Sequence, residues 1–192
     1  VSSEGSQRTA DRRIEIHAVK SPFTAPKAAI YTESDDFQFN GTQFLVSGKD
    51  WDPATGDTLV GSSEVDGIQT TGNPGTIAGA LNPMQENNVE GDGPEPSILS
   101  APFDYDLQAM IDQYAPFADD VHPGGTIATG SIPDWGGYDD YRIVHVTNDL
   151  HISGNVVGGG LLLLQGDLTV SGSFTWYGMV INVGEITFTG GG

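Results

Sequence analysis

The sequence predicts a mainly β chain: a single-stranded β-solenoid, a triangular β-helix of about 18 residues per coil, with one flanking amphipathic helix. Three observations predict it. Glycine recurs at Gly154, Gly160, Gly166, Gly172, Gly178, Gly184 and Gly190, a constant step of six. Two and four residues after these glycines the side chain is usually apolar, as at Leu168 and Val170 or Ile186 and Phe188, and alternation of that kind marks a strand. Three hexads make 18, and Asn148–Gly154, Gly166–Gly172 and Gly184–Gly190 align on that longer period. A glycine at each sixth position offers a corner where the chain turns, so short strands between corners would stack coil upon coil. An antiparallel meander needs no constant glycine interval, and its turns would favour Asn-Gly pairs. The spacing alone suits coils of either hand.

The N-terminal part, 1–27, reads as a polar segment followed by an opening strand, Arg12–Val19, in which Ile14, Ile16 and Ala18 alternate with Arg13, Glu15 and His17. Ser21-Pro-Phe-Thr-Ala-Pro26 breaks it. The solenoid domain is expected over 28–192. Ala28–Tyr31, Asp36–Gly41 and Phe44–Gly48 resemble sides of the repeat. Residues 49–100 and 122–141 read as irregular loops rich in Gly, Pro and acids. Leu107, Met110, Ile111 and Tyr114 form a helical stripe, so a helix is expected near 104–115, with Asp104 as N-cap and Pro116 near its end. Its partner is the side made by Ile143–Val146, Leu161–Leu164 and Met179–Asn182, which is apolar on both faces and therefore calls for cover from outside. The repeat still runs at Gly190-Gly191-Gly192 with no visible cap. That end, with Ile186, Phe188, Gly190, Gly191 and Gly192, is the expected assembly interface, because a terminal coil exposes a row of backbone donors and acceptors.

Charge narrows the function classes. The chain of 192 residues carries 26 acids and seven bases, a formal −19. Five bases and three acids lie in residues 1–27, a +2 segment, and the remainder is −21. Such a body repels phosphate backbones and anionic lipid, so neither nucleic acid nor membrane contact is expected within it. The absence of cysteine excludes disulfides, thiolate metal sites and a cysteine nucleophile. No apolar stretch of ~18 residues is present. Val1 is not an initiator methionine, which leaves open an export signal or membrane anchor ahead of it.

Candidate chemistry is sparse. Asp50, Asp52 and Asp57 place three carboxylates in one glycine-containing turn, a candidate Ca²⁺ loop, although Ala54 sits where an EF-hand needs a ligand. Asp119, Asp120 and His122 read as a helix-end acid pair beside a histidine. Asp134–Tyr141 reads as a loop anchored by Trp135, with carbohydrate contact as the other use of its aromatics. His145 and His151, six residues apart, are expected on the surface. Arg142 is the only base near the regular repeat, which leaves a solenoid polysaccharide lyase or hydrolase with little to work with. No catalytic constellation stands out, so the chain is expected to be non-enzymatic and to hold no cofactor apart from that candidate Ca²⁺.

Arg8–Ile16, Ser21-Pro-Phe23, Ala28–Thr32, Asp36–Gly41 and the tail Leu161–Ile181 together resemble the periplasmic part of PilX-type type IV pilus assembly proteins, over about 8–48 and 142–192. The short coils also resemble bactofilin-like filament formers. The resemblance implies a membrane helix ahead of a strand and a right-handed β-solenoid. It also implies a structural role rather than catalysis, at the cell surface, extracellular or periplasmic, with other pilus or cell-surface proteins or further copies of the chain as partners. The alternatives are an adhesin-like module that binds glycan or Ca²⁺ and a β-helix polysaccharide lyase or hydrolase.

Overall fold

The computed structural model describes residues 27–40, 44–52, 55, 57–59, 64–102, 106–130 and 133–189. The strand read at Arg12–Val19, the N-cap read at Asp104 and the terminal Gly190, Gly191 and Gly192 lie outside them. In chain order the structure begins with β1 (Ala28–Thr32), β2 (Phe37–Phe39), β3 (Val46–Ser47), β4 (Trp51–Asp52), β5 (Asp57–Thr58) and β6 (Asp66–Thr70). It continues with α1 (Pro74–Ala80), β7 (Val89–Glu90), β8 (Ile98–Ser100) and α2 (Leu107–Tyr114). Then come β9 (Asp120–His122), β10 (Gly125–Ile127), β11 (Arg142–Val146), β12 (Leu150–Ile152), β13 (Asn155–Leu164), β14 (Leu168–Val170), β15 (Ser173–Asn182) and β16 (Ile186–Phe188).

The strands do not form the expected single-stranded triangular solenoid. They lie in multi-stranded parallel sheets: seven strands in the order β8-β6-β1-β15-β13-β11-β9, five in the order β10-β12-β14-β16-β2, and two small two-stranded sheets. The physical reason lies at Gly160 and Gly178. Both were expected to be corners, yet β13 and β15 run straight through them as ten-residue strands. Positive φ at these two glycines, +106° and +143°, bends the strand while the ladder continues from Asn155↔Ser173 to Leu164↔Asn182.

The 18-residue period is nonetheless physical, and it appears as register. Leu150 pairs with Leu168 and Leu168 with Ile186; Val144 pairs with Leu162 and Leu162 with Val180. Like residues thus stack on like, and the inner columns bury Val144, Leu162, Val180, Ile30 and Ile68 in one core with Leu150, Leu168, Ile186 and Phe37. Gly154, Gly166, Gly172 and Gly184 are required by close approach. A Cβ on Gly172 would stand 2.1 Å from the Gly154 carbonyl oxygen, and one on Gly184 2.5 Å from that of Gly166. No non-glycine residue among the described residues has positive φ, Asn148 included. Its side chain instead donates to the Pro123 carbonyl at 2.9 Å.

Two further expectations are corrected by topology. The C-terminal repeat is covered along much of its edge: β1 pairs with residues 180–182 of β15 and β2 with β16, while residues 173–178 of β15 have only β13 beside them among the described residues. The region 49–100, read as long loops around a degenerate coil at 60–82, holds strands β4 to β8 and the helix α1. Asn73 caps α1 by accepting from Gly75 N–H at 2.9 Å, and Pro74 opens it. Its Ile77 is fully buried, and the helix packs on both β2 and β8.

The other helix, α2, covers the outer face of the long sheet. Leu107, Met110 and Ile111 meet Tyr31, Leu163 and Ile181 in a second apolar cluster flanked by Leu161 and Met179. Asp106 supplies the N-cap, accepting from Ala109 N–H at 3.0 Å. Among the described residues no helix is long and apolar enough to cross a membrane.

Candidate functional site

The residues singled out for chemistry are dispersed. Asp52 and Asp57 stand opposite each other in the β4–β5 hairpin, where the Asp50 carbonyl accepts from Leu59 N–H at 2.8 Å. Among the described residues no group of three His, Cys, Asp or Glu side chains is placed to hold a metal ion. Ile186 and Phe188 are held inside the sheets. Ile186 is fully buried against Phe37, and Phe188 stacks on Phe39 and Phe44 at 5.8 and 5.3 Å. A partner cannot reach their strand edge, because β2 already occupies it.

The polar side chains around the repeat organise backbone and neighbouring side chains. Asp149 accepts from Asp167 N–H at 3.0 Å, and Asp167 accepts from Glu185 N–H at 2.9 Å, so successive acids one period apart fix the turns of the next layer. His145 is only 9% exposed, which corrects its surface placement; α2 covers this face, and the His145 ring meets Gln165 Oε1 at 3.1 Å. His151 meets Ser171 Oγ at 2.8 Å. Arg142 clamps the loop before it, bonding Asp140 Oδ2 at 2.6 Å, Asp134 Oδ2 at 3.2 Å and the Asp134 carbonyl. These bonds favour the charged guanidinium, the one to Asp140 most, and hold its pKa above the ordinary value.

One region gathers several of these residues: the end of the molecule formed by β9 and β10. Neither strand was visible as such, since each spans three residues inside stretches read as a helix end and a loop. Each is a sheet edge. β9 bonds only β11, and β10 only β12, among the described residues. The core beneath them is sealed by Trp135. A parallel bridge to Gly158 turns this residue inward, where it is fully buried. Its ring meets His122 edge-on at 5.6 Å and Trp176 at 6.4 Å. Its indole N–H donates to Asp120 Oδ2 at 2.6 Å. Asp119 turns the other way along the chain, and its carboxylate accepts from Ile143 N–H at 2.8 Å. The acids of the Asp119-Asp120-His122 cluster are thus engaged in holding β9 rather than converging on a ligand.

Around this end several apolar side chains face solvent. Val121, on β9, is 58% exposed, and Phe117, in the 3-10 turn packed on β11, is 70% exposed. On the outer surface of β15, Tyr177 meets Tyr138 edge-on at 6.0 Å. The opposite end differs: α1 lies against both edge strands there, β2 and β8. Among the described residues, then, a helix lies against the edge strands at one end, and nothing pairs with the outer edges of β9 and β10 at the other. No protein-family model, curated protein sequence or solved structure matches this chain.

Proposed function

We propose that the chain is a non-enzymatic structural or assembly protein of the bacterial cell surface, acting outside the cytoplasm, joined to pilus-type assembly proteins or to further copies of itself. The observation that carries this reading is the asymmetry of the two ends. Open strand edges recruit further strands, and proteins that stay solitary cover or guard them. Here α1 lies against β2 and β8 at one end, while β9 and β10 at the other have no strand on their outer edges among the described residues. The use of the acids supports the same reading, because Asp119, Asp120, Asp149 and Asp167 hold strands and turns in place.

The test is direct. Purified chain is followed by light scattering and electron microscopy across protein concentration, salt and Ca²⁺, and is incubated with acidic and neutral polysaccharides. Mass that grows with concentration, without cleavage of any polysaccharide, is expected. Cleavage that Arg142→Ala abolishes would overturn the reading in favour of a lyase or hydrolase. For the pilus-associated form, deletion of the gene is expected to reduce surface piliation.

A further inference from the structure

We propose that the open edge of β9 is a self-association surface on which a second copy of this chain docks antiparallel, about a twofold axis at Val121; this rests on the assembly reading above and names its partner. The ladder between β9 and β11 determines which groups are available. The His122 carbonyl accepts from Thr147 N–H at 3.1 Å, and Val121 lies opposite His145. Backbone groups alternate sides along a strand, so the N–H and C=O of Val121 turn away from β11, out along the edge. One donor and one acceptor on the same residue are self-complementary. Two copies related by a twofold axis exchange both bonds as one hydrogen-bonded antiparallel pair.

The side chains agree with that geometry. Charged residues normally guard an open edge. Here the two acids of the segment are bonded internally, Asp119 to Ile143 N–H and Asp120 to Trp135. Antiparallel pairing centred on Val121 sets each Asp120 opposite a His122 of the second copy, so no acid meets an acid across the ladder. The exposed Val121 and Phe117 supply apolar surface. Pro123 follows β9 and lacks an N–H, which keeps the ladder short and confines it to the Val121 pair. A twofold contact uses the same edge on both copies and leaves none of it free, so the association closes as a dimer rather than growing into a fibre. Each copy carries −19, so salt screens the repulsion and tightens the dimer.

The experiment is sedimentation velocity on the full 192-residue chain over a wide concentration range at low and high salt. The expected result is a species of twice 20.2 kDa that grows with both concentration and salt. Val121→Pro removes the outward N–H without touching a bond to β11 and is expected to weaken the dimer at least tenfold. Val121→Lys tests the same edge with charge, so the test stands even where the proline variant fails to fold. The chain has no cysteine, which makes Val121→Cys a single-thiol probe expected to form a disulfide-linked dimer on mild oxidation. Val157→Cys, exposed on β13, is the control and is expected to stay unlinked. A wild-type monomer under all conditions overturns the proposal, and so does a dimer unaffected by both Val121→Pro and Val121→Lys. In the second case copies meet elsewhere and the assembly reading survives, whereas polysaccharide cleavage overturns that reading whatever the edge does.

Discussion

Removing the Trp135 side chain should be among the most damaging single changes in the protein, and its cost can be divided by mechanism. The ring is fully buried between His122 and Trp176, and its N–H is bonded to the Asp120 carboxylate. Truncating a buried tryptophan to alanine costs about 3–5 kcal/mol through lost contacts and the cavity left behind. Leaving a part-buried carboxylate without its donor adds about 1–3 kcal/mol. Trp135→Ala should therefore lose about 4 kcal/mol or more, a large share of the ~5–15 kcal/mol that holds a domain folded. Trp135→Phe retains much of the ring and should lose about 1–3 kcal/mol, mostly the bond. Combined with Asp120→Asn, it should cost less than the sum of the two single changes, by about 0.5–3 kcal/mol. Urea unfolding followed by far-ultraviolet circular dichroism measures the wild type and all four variants without relying on the fluorophore being mutated. A loss below about 1 kcal/mol for Trp135→Ala, at unchanged denaturant slope, would refute the role of Trp135 as the seal of the open end.

Other perturbations separate the forces at work elsewhere. Gly160→Ala places a Cβ 2.2 Å from the Arg142 carbonyl oxygen at φ +106°, so thermal unfolding should show a loss of more than about 2 kcal/mol. Asp106→Ala removes the α2 cap and should cost about 1 kcal/mol in chemical unfolding. Gln69 Oε1 is buried with no hydrogen-bond partner among the described residues, so Gln69→Leu should hold stability or raise it by about 1 kcal/mol in the same assay. Burial first, and then the Asp92 carboxylate, raise the Asp66 pKa, while Ser97 opposes the shift. The folded state therefore binds the proton more readily than the unfolded state, and stability falls as pH rises through the carboxylate range. Asp66→Asn lacks this penalty. Its melting temperature should exceed the wild type's above that range, and the gap should close on acidification.

The legibility of the chain followed the strength of its local patterns. Seven glycines at a constant step revealed the 18-residue register, because each layer presents the same backbone to the next. The same glycines misled as to corners, since close packing of one backbone on another and a change of chain direction both select glycine. At Gly172 and Gly184 the reason is contact, and at Gly160 and Gly178 it is a bend within a continuing strand. The Leu107–Tyr114 stripe revealed α2, but α1, with the sequence Pro-Gly-Thr-Ile-Ala-Gly-Ala, has one buried apolar residue and two glycines. Only Asn73-Pro74 marked its start, a cap followed by a proline at the first helical position. The strands β9 and β10 span three residues each, too short for any periodicity to register. The 18-residue period revealed the neighbours within β11-β13-β15 and β12-β14-β16, but not which end of them the first strands join, because nothing local in Phe37–Phe39 says that its partner is Ile186–Phe188. The β9 edge was missed for the same reason: β1 and β2 join β15 and β16, and β9 takes the far end of the seven-stranded sheet.

That placement of β1 also governs the order in which the chain can fold. Ile30 pairs with Val180, 150 residues further along, and Phe37 with Ile186. Neither pairing can form until residues 180–188 have been synthesised. The local hairpin and helices can settle early, and β11 to β16 can stack on one another over short separations. β1 can pair early with β6, but the strand partner of β2 is β16, so Phe37 and Phe39 lack that cover until the last strands arrive. Loop closure over such a distance slows the final step and lengthens the exposure of apolar β segments. A nascent chain of this design has a built-in delay between leaving the ribosome and becoming compact, the interval in which a holding chaperone or a transport channel finds it still extended.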